Sequence, residues 1–317
     1  MRRDGRGQWL TWGVSVLNAA LGDYLHSRSN GLAIEAACYH RGARLNLTPN
    51  ALRAAHPAIT PRLCVLVHGL GCHEGIWEFP PDPGDEEPSS YGALLHLELG
   101  YTPFAVRYNT GLAVAESGCR LAGLLAELTA AYPGAIEEIV LIGHSMGGLV
   151  ARQAALTAAR DGAAWAARLT RVFYLGTPHD GADLARLGHT AAAVLEAVPN
   201  PVTRLIGTVI NTRSEGIKDL RLGAGSCATD AWPAHVQQYV IAGALGGDPE
   251  HPVSWLMGDG LVRLPGDMAR YGVPAAHVRL LPATHHMRLT RDPEVYRLVK
   301  DWCAGTNAER RTLNAER

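Results

Sequence analysis

Residues 139–150 read Ile-Val-Leu-Ile-Gly-His-Ser-Met-Gly-Gly-Leu-Val, and this stretch decides the fold. An apolar run rich in β-branched residues stops at Gly143, and an alanine-rich segment typical of a helix follows over residues 149–159. The pattern predicts a strand, a sharp turn and a helix. Glycine at 143 and 147 removes side chains that would collide with the helix, which leaves the Ser145 hydroxyl open at the end of the strand. Ser145 is therefore the candidate nucleophile, and an ordinary glycine-rich turn is the alternative.

Length and composition favour one globular domain. The chain has 317 residues, of which 47% are apolar and 19% charged, so a large core can form beneath a lightly charged surface. We expect one domain with an insertion rather than two separate domains. The formal net charge of −1 gives no electrostatic reason to expect a nucleic acid or an anionic membrane as partner.

The cysteines argue against a structural zinc site and against a redox motif. They are widely spaced, and none belongs to a Cys-x-x-Cys pair. We expect them to be reduced and partly buried. No apolar run approaches the ~18 residues that a membrane-spanning helix needs. The six cysteines are Cys38, Cys64, Cys72, Cys119, Cys227 and Cys303.

The N-terminal segment, residues 1–31, carries a helical pattern. Apolar residues recur at intervals of three and four through residues 9–25, which predicts an amphipathic helix of the mature protein. The segment also has features of a weak secretion signal with a cleavage site at residues 20–22, but the helical pattern continues through that site. Three uses are open to the helix: covering the body of the protein, forming a homodimer, or lying on a lipid surface. The predicted apolar stripe is Trp9, Trp12, Gly13, Val16, Leu17, Ala20, Leu21, Tyr24 and Leu25, and the polar residues off it are Gln8, Thr11, Ser15, Asn18 and Asp23.

Residues 32–305 alternate apolar strands with helical segments, which is typical of an α/β domain with a mostly parallel sheet. The run at 63–67 is apolar at every position, as expected for a strand that helices cover on both faces. The first two strands are expected at an antiparallel edge, and residues 306–317 form a polar tail. Strands are predicted at 33–39, 44–47, 63–67, 103–108, 139–142, 172–175, 238–242 and 277–281, and helices at 112–132 and 292–302.

A second loop has the features of an oxyanion-binding turn. His68, Gly69 and Leu70 follow the strand at 63–67 in a tight, glycine-rich turn. Acyl transfer passes through a tetrahedral oxyanion, which needs backbone N–H groups aimed at it before the reaction starts. The sequence predicts these donors at Leu70 and at Met146, the residue after the candidate nucleophile. His68 is then expected to shape the loop, and metal binding by His68 with His73 is the alternative.

Two segments are expected near the mouth of the site. Residues 75–90 contain Trp77 and an acidic, proline-rich run, and their composition predicts a mobile surface loop. The stretch 182–233 is too long for a simple crossover, and it contains apolar helical pieces. We predict that it is a cap or lid over the site, with a plain surface embellishment as the alternative.

The nucleophile needs a histidine base, and the base needs a carboxylate that fixes its tautomer. In a fold with this kind of turn the chain order is serine, acid, histidine. Asp259 lies between two glycines after the strand at 238–242, and we choose it over Asp248, since Asp-Pro pairs mark turns, and over Asp180, which follows an earlier strand.

The base is predicted in the loop after the last strand. Two adjacent histidines, His285 and His286, follow that strand, and both cannot face the serine. We choose His286, because the apolar residues Met287 and Leu289 after it are suited to anchoring the loop, and His285 is the alternative.

These motifs resemble those of the α/β-hydrolases, and within them the bacterial lipases and the lipase-like proteins related to GPI inositol-deacylase. The resemblance rests on residues 67–71, 143–148, 175–179, 258–262 and 286–289, so it covers most of the chain. It implies an eight-stranded, mostly parallel sheet with helices on both faces and a cap insertion. It also implies hydrolysis of carboxylic esters, often of lipids, through an acyl-serine intermediate.

The predicted function is therefore a serine esterase or lipase without metal or cofactor, acting on a small-molecule ester or lipid. The substrate is expected to lie beside His68, Gly69, Trp77 and His144. Two alternatives stay open: acyl transfer to an alcohol or amine, and a non-catalytic binding module on a hydrolase scaffold. The weak signal and the scattered cysteines favour the cytoplasm over secretion, with peripheral membrane contact and a homodimer as further predictions.

Overall fold

The computed structural model describes residues 5–79, 89–181, 214–222, 231–246, 259–260, 262 and 266–315. Within these ranges the chain forms an eight-stranded sheet. Its strands are β1 (Ala37–His40), β2 (Ala43–Arg44), β3 (Arg62–Val67), β4 (Tyr101–Arg107), β5 (Glu138–His144), β6 (Leu169–Leu175), β7 (Gln237–Gly243) and β8 (Val278–Leu281). Six of them lie at the predicted places, whereas β1 begins at Ala37 rather than at residue 33, and β2 shares only residue 44 with the strand predicted at 44–47.

The strand order is β8-β7-β6-β5-β3-β4-β1-β2. The neighbours from β8 to β4 pair in parallel. At the other edge β1 pairs antiparallel with β4, and β2 pairs antiparallel with β1. The prediction of an antiparallel edge on a mostly parallel sheet is confirmed.

Helices cover both faces of the sheet. The described helices are α1 (Gly5–Ser27), α2 (Pro49–Ala55), α3 (Tyr91–Leu99), α4 (Val114–Ala131), α5 (Met146–Arg160), α6 (Glu215–Leu222) and α7 (Pro293–Ala315). Alternate residues of β3 face opposite layers: Val65 packs in the core cluster that contains α4 and α5, whereas Cys64 packs in the cluster that contains α3 and α7. This two-sided burial explains why the 63–67 run is apolar throughout.

Two helices lie where no helix was predicted from the sequence. Helix α2 begins after Thr48, whose side chain accepts a hydrogen bond from the Ala51 N–H, with Pro49 at its first position. Helix α3 begins after Ser90, whose side chain accepts from the Ala93 N–H. Both caps are readable in the sequence. The terminal helix is also longer than the predicted 292–302: α7 ends at Ala315.

Helix α1 forms as predicted, but its buried face is only partly the predicted apolar stripe. Val16, Ala20 and Leu25 are buried, whereas Tyr24 is 56% exposed. Ser15 and Asn18, assigned to the polar face, are 1% and 0% exposed. Asn18 is accommodated because its amide donates to Leu32 O at 2.8 Å and accepts from Ile34 N at 2.9 Å.

A buried ion cluster lies at the amino end of the sheet. Glu138, with 1% of its side chain exposed, accepts from Arg62 Nε at 2.9 Å and forms an ion pair with Arg171, which is equally well buried. Thr170 Oγ1 adds a hydrogen bond at 2.8 Å. The cluster joins β3, β5 and β6 at the amino ends of these strands, opposite to the end at which Ser145 lies.

Most of the predicted cap lies outside the described residues, namely 182–213 and 223–230. The part that the structure describes contains helix α6, which packs against α1 and α4. Among the described helices, none has the length and apolarity required to cross a bilayer.

Candidate active site

Ser145 lies at the turn between β5 and α5 in a backbone conformation that serine rarely adopts, with φ 54° and ψ −126°. Its N–H donates to Leu175 O at 2.8 Å, and its carbonyl accepts from Gly148 N at 3.0 Å. These bonds to β6 and α5 hold the unfavourable backbone in place. The strained turn at Ser145, expected from the glycine spacing, is therefore present.

The neighbouring glycines are required by close backbone approaches. A Cβ at Gly143 would lie 2.5 Å from the Gly148 Cα, and one at Gly147 would lie 2.2 Å from Val67 O. Real Cβ atoms do not tolerate such distances, so helix α5 can start directly against β3 and β5 only with glycine at these positions.

Asp259 and His286 form a buried pair. His286 Nδ1 lies 2.7 Å from Asp259 Oδ2, and the side chains are 5% and 2% exposed. The His286 N–H donates to Asp259 O at 3.0 Å, so the two loops are joined by backbone as well as side chain. The second carboxylate oxygen, Oδ1, accepts from Val262 N at 2.8 Å. A carboxylate can only accept, so His286 Nδ1 carries the proton of this pair, and in the neutral imidazole the lone pair is then on Nε2.

His144 connects the Ser145 turn with the His286 loop. Its Nε2 lies 3.1 Å from His286 O, and the two imidazole centroids are 4.6 Å apart. Because a carbonyl accepts, His144 Nε2 is the protonated nitrogen. Burial holds the pKa of His144 well below its ordinary value, with the nearby His286 as a second cause. His144 is therefore a neutral donor that joins the backbone of the His286 loop to the turn at Ser145.

Gly176 brings the end of β6 close to the His286 ring. Its φ is 58°, and a Cβ there would lie 2.9 Å from His286 Nδ1. Sequence reasoning did not assign a role to this residue. The signal available was the glycine directly after the strand at 172–175, in the Leu-Gly-Thr-Pro-His motif.

The loop after β3 lies directly against Ser145. A Cβ at Gly69 would be 2.9 Å from Ser145 Cβ and 3.2 Å from His144 Nδ1. Leu70 follows on this loop, and Met146 is the first residue of α5. The structure thus brings together the segments that carry the two predicted oxyanion donors, at the positive end of the α5 dipole.

His68 is buried and shapes this loop from inside. Its ring stacks on Tyr108 with centroids 4.6 Å apart, and its Nδ1 lies 2.9 Å from Gly69 O. Tyr108 N donates to His68 Nε2 at 3.4 Å, and Tyr108 Oη donates to His68 O at 2.9 Å. Burial lowers the pKa of His68 to about 4, so the ring is neutral at physiological pH. Tyr108 is a second residue that sequence reasoning did not single out.

Trp77 does not lie on a surface loop, and that prediction is wrong. Residues Glu74–Trp77 form a short 3-10 turn, and Trp77 is 1% exposed within the core. Its ring meets His144 edge-on at 6.4 Å. The apolar side chain of Trp77 is thereby withdrawn from water and packs behind the turn. The acidic run at 80–88 lies outside the described residues.

The alternatives for acid and base occupy different surroundings. His285 is exposed, whereas His286 is buried. Asp180 forms an ion pair with Arg270 and accepts from Tyr271 Oη at 3.0 Å. Asp248 lies outside the described residues. Across the parts of the chain that the structure describes, no group of three or more His, Cys, Asp or Glu side chains could hold a metal ion.

Comparison with known proteins agrees with this architecture. A sequence model of the "Alpha/beta hydrolase family" matches residues 64–297. A search of curated proteins finds no match. Among solved structures, the mature lipase BlEst2 of Bacillus licheniformis aligns with a TM-score of 0.50 and 19% identity, over 78% of this chain and 92% of that one. Its propeptide form aligns with a TM-score of 0.52 and 19% identity, over 78% of this chain and 50% of that one.

An esterase of Pyrococcus furiosus aligns with a TM-score of 0.46 and 15% identity, over 77% of this chain and 82% of that one. At such identities the structural likeness concerns the fold alone.

Proposed function

The chain belongs to the alpha/beta hydrolase family, and we propose that it is a serine hydrolase of carboxylic esters, an esterase or lipase. One observation supports the proposal: a serine in a strained backbone conformation at the start of a helix follows His144, whose ring bonds the backbone of the histidine in a buried Asp–His pair. The family supports hydrolase chemistry in general. The triad, the acyl-enzyme and the ester substrate are the proposal.

In the proposed reaction, Ser145 Oγ attacks the ester carbonyl carbon while His286 Nε2 takes the hydroxyl proton. The pairing of His286 Nδ1 with Asp259 supports this role, because it keeps Nε2 unprotonated until the reaction begins. The carboxylate then stabilises the imidazolium that forms. The negative oxygen of the tetrahedral intermediate is bound by the Leu70 and Met146 amides.

The intermediate collapses to an acyl-serine, and the leaving alcohol takes the proton from His286. Water then attacks the acyl carbon with His286 as base, which releases the carboxylic acid and restores Ser145. His144 and Gly69 line the base of the site, because both lie against Ser145 or its neighbours. Trp77 supports His144 from the core side and is not proposed to contact the acyl chain.

The substrate class is an apolar acyl ester, and the relation to GPI inositol-deacylase-like lipases stays a prediction. The test is reaction of the purified protein with a fluorophosphonate, followed by peptide mapping, alongside hydrolysis of p-nitrophenyl esters from acetate to palmitate. We expect one adduct on Ser145 and a loss of nearly all turnover in Ser145→Ala. Denatured protein is the matched control, because a serine outside a formed site is unreactive.

Two results would contradict the proposal. One is a folded wild-type protein that takes no phosphonyl adduct, which would favour a binding module on a hydrolase scaffold. The other is Ser145→Ala with the turnover of the wild type.

A further inference from the structure

Helix α1 precedes the segment that matches the family, and it packs on the loops at the carboxyl end of the sheet. We infer that α1 is a positioning element of the active site, which holds the loops bearing the two oxyanion donors. The inference rests on the proposed function. Three sets of contacts support it.

The first set joins α1 to the loop after β4. Asn109, 2% exposed, donates from Nδ2 to Gly22 O at 2.9 Å and accepts at Oδ1 from Gly111 N at 3.0 Å. Gly111 lies so close to the helix that a Cβ there would be 2.1 Å from Asn18 O. The helix backbone and this loop are therefore in direct contact, with a buried amide fixing their relative position.

The second set carries this contact to the oxyanion loop. Thr110 Oγ1 accepts from Gly71 N at 3.2 Å, and Gly71 is the residue after Leu70. From the helix side, a Cβ at Gly71 would lie 3.7 Å from Ala19 Cβ. The Trp12 ring also meets His73 edge-on, with centroids 4.8 Å apart. Helix α1 thus contacts the turn that presents the Leu70 amide, directly and through Thr110.

The third set reaches the other donor through α6. Ser214 Oγ donates to Ala19 O at 2.7 Å, and Asp23 Oδ2 accepts from Glu215 N at 3.1 Å. A Cβ at Gly216 would lie 3.2 Å from Met146 Cε. Helix α1 therefore fixes the start of α6, and α6 packs on the side chain of the residue that carries the second amide.

These contacts also account for a glycine on the buried side of α1. Gly22 is buried, and Asn109 lies where a Cβ at this position would stand, so the helix and the loop can approach this closely only with glycine here. An apolar cover would need no such glycine. The arrangement fits a helix that sets the position of particular loops, and an error of about 1 Å in such a position can lower a rate ~10²-fold.

The test uses one substitution at two positions of the same helix. In Gly22→Ala the new Cβ would lie 1.8 Å from Asn109 Oδ1, so the amide must move and its bonds to both α1 and Gly111 are disturbed. In Gly13→Ala, the matched control, the new Cβ would meet no described atom within 4 Å. The gain in helix propensity is the same in both.

We expect Gly22→Ala to lower kcat on a p-nitrophenyl ester, and the rate of phosphonylation of Ser145, about 10- to 100-fold. KM should stay within about threefold, and Gly13→Ala should match the wild type. If α1 served only as a cover, Gly22→Ala would instead lower the melting temperature and the fraction of molecules that the fluorophosphonate labels, and the kcat per labelled site would not change. That outcome, or wild-type kcat in Gly22→Ala, would overturn the inference.

A milder variant keeps the test decisive if Gly22→Ala does not fold. Ser214→Ala removes the bond to Ala19 O and the longer bond that Ser214 Oγ accepts from Ile217 N at 3.4 Å, and it should lower kcat about fivefold at unchanged KM. Ser27→Ala on the exposed side of α1 is its control. Wild-type kcat in folded Ser214→Ala would count against the inference. A wild-type protein without phosphonylation would refute the proposed function as well, whereas normal wild-type labelling with unaffected variants refutes the inference alone.

Discussion

Replacement of Asp259 by Asn should abolish most activity although the side chains have nearly the same shape. Oδ1 of Asp259 accepts from Val262 N at 2.8 Å, and Oδ2 accepts from His286 Nδ1 at 2.7 Å. An asparagine must keep its oxygen towards the Val262 N–H. The flipped amide would place its NH₂ group against that N–H, with a donor facing a donor. Its NH₂ group then faces His286, whose Nδ1 must become the acceptor. The proton moves to Nε2, where it prevents that nitrogen from accepting the Ser145 proton.

The expected loss follows from this change of tautomer. A wrongly protonated base at intact geometry lowers kcat by ~10⁴ in the serine-protease triad. At about 1.4 kcal/mol per decade this corresponds to about 5 kcal/mol of transition-state stabilisation. The assay is the kcat for a p-nitrophenyl ester near pH 7, with active sites counted by fluorophosphonate after long incubation. Circular dichroism should show a folded protein.

Asp180→Asn is the matched control. Asp180 follows β6, is partly exposed, and pairs with Arg270 and Tyr271 instead of a histidine. We expect its kcat to stay within about threefold of the wild type, since no group of the proposed reaction changes protonation. If Asp259→Asn keeps more than a tenth of the wild-type kcat, or if Asp180→Asn is the more damaging change, the tautomer reasoning is refuted.

Three further predictions concern stability and are measured by urea unfolding. Ser145→Gly should be more stable than Ser145→Ala by ~1–3 kcal/mol, because only glycine adopts φ 54° without strain, and equal stability would contradict the strain. Glu138→Ala should cost ~3–5 kcal/mol by leaving the buried Arg171 and the partly buried Arg62 without their carboxylate, whereas Glu98→Ala, at a surface pair 35% exposed, should cost under ~1 kcal/mol. Burial alone would raise the pKa of Glu74, but the nearby His73 and the two hydrogen bonds from Arg107 outweigh it and lower the pKa from 4.5 to about 2. The ionised form therefore stabilises the protein above pH 4.5, and this contribution is lost as the pH falls towards 2. In Glu74→Gln the free energy of unfolding should depend less on pH between 4.5 and 2. The same pH dependence as in the wild type would refute this prediction.

The sequence predicted the sheet well because its signals are local. Apolar runs bounded by turn residues gave all eight strands, and the glycine spacing around Ser145 gave the strained turn. The same approach missed α2 and α3, although Thr48 and Ser90 are capping residues at their starts.

Predictions that depended on the exposure of one face were less successful. Trp77 was predicted on a surface loop from its polar neighbours, but it packs in the core behind His144. Ser15 and Asn18 were assigned to the solvent side of α1, and both are buried. Their burial depends on partners distant in the chain, such as Ile34 N for Asn18, which periodicity does not contain.

The sequence by itself determined the fold and the turn at Ser145. It also limited the candidate acid to three aspartates and the candidate base to two adjacent histidines. Only the tertiary structure distinguished the adjacent histidines, since it buries His286 against Asp259 and leaves His285 exposed. It also decided what α1 touches. The physical reason is the same in each case: a strand or turn is specified by neighbours along the chain, whereas hydrogen-bond partners and burial are specified by residues that only folding brings together.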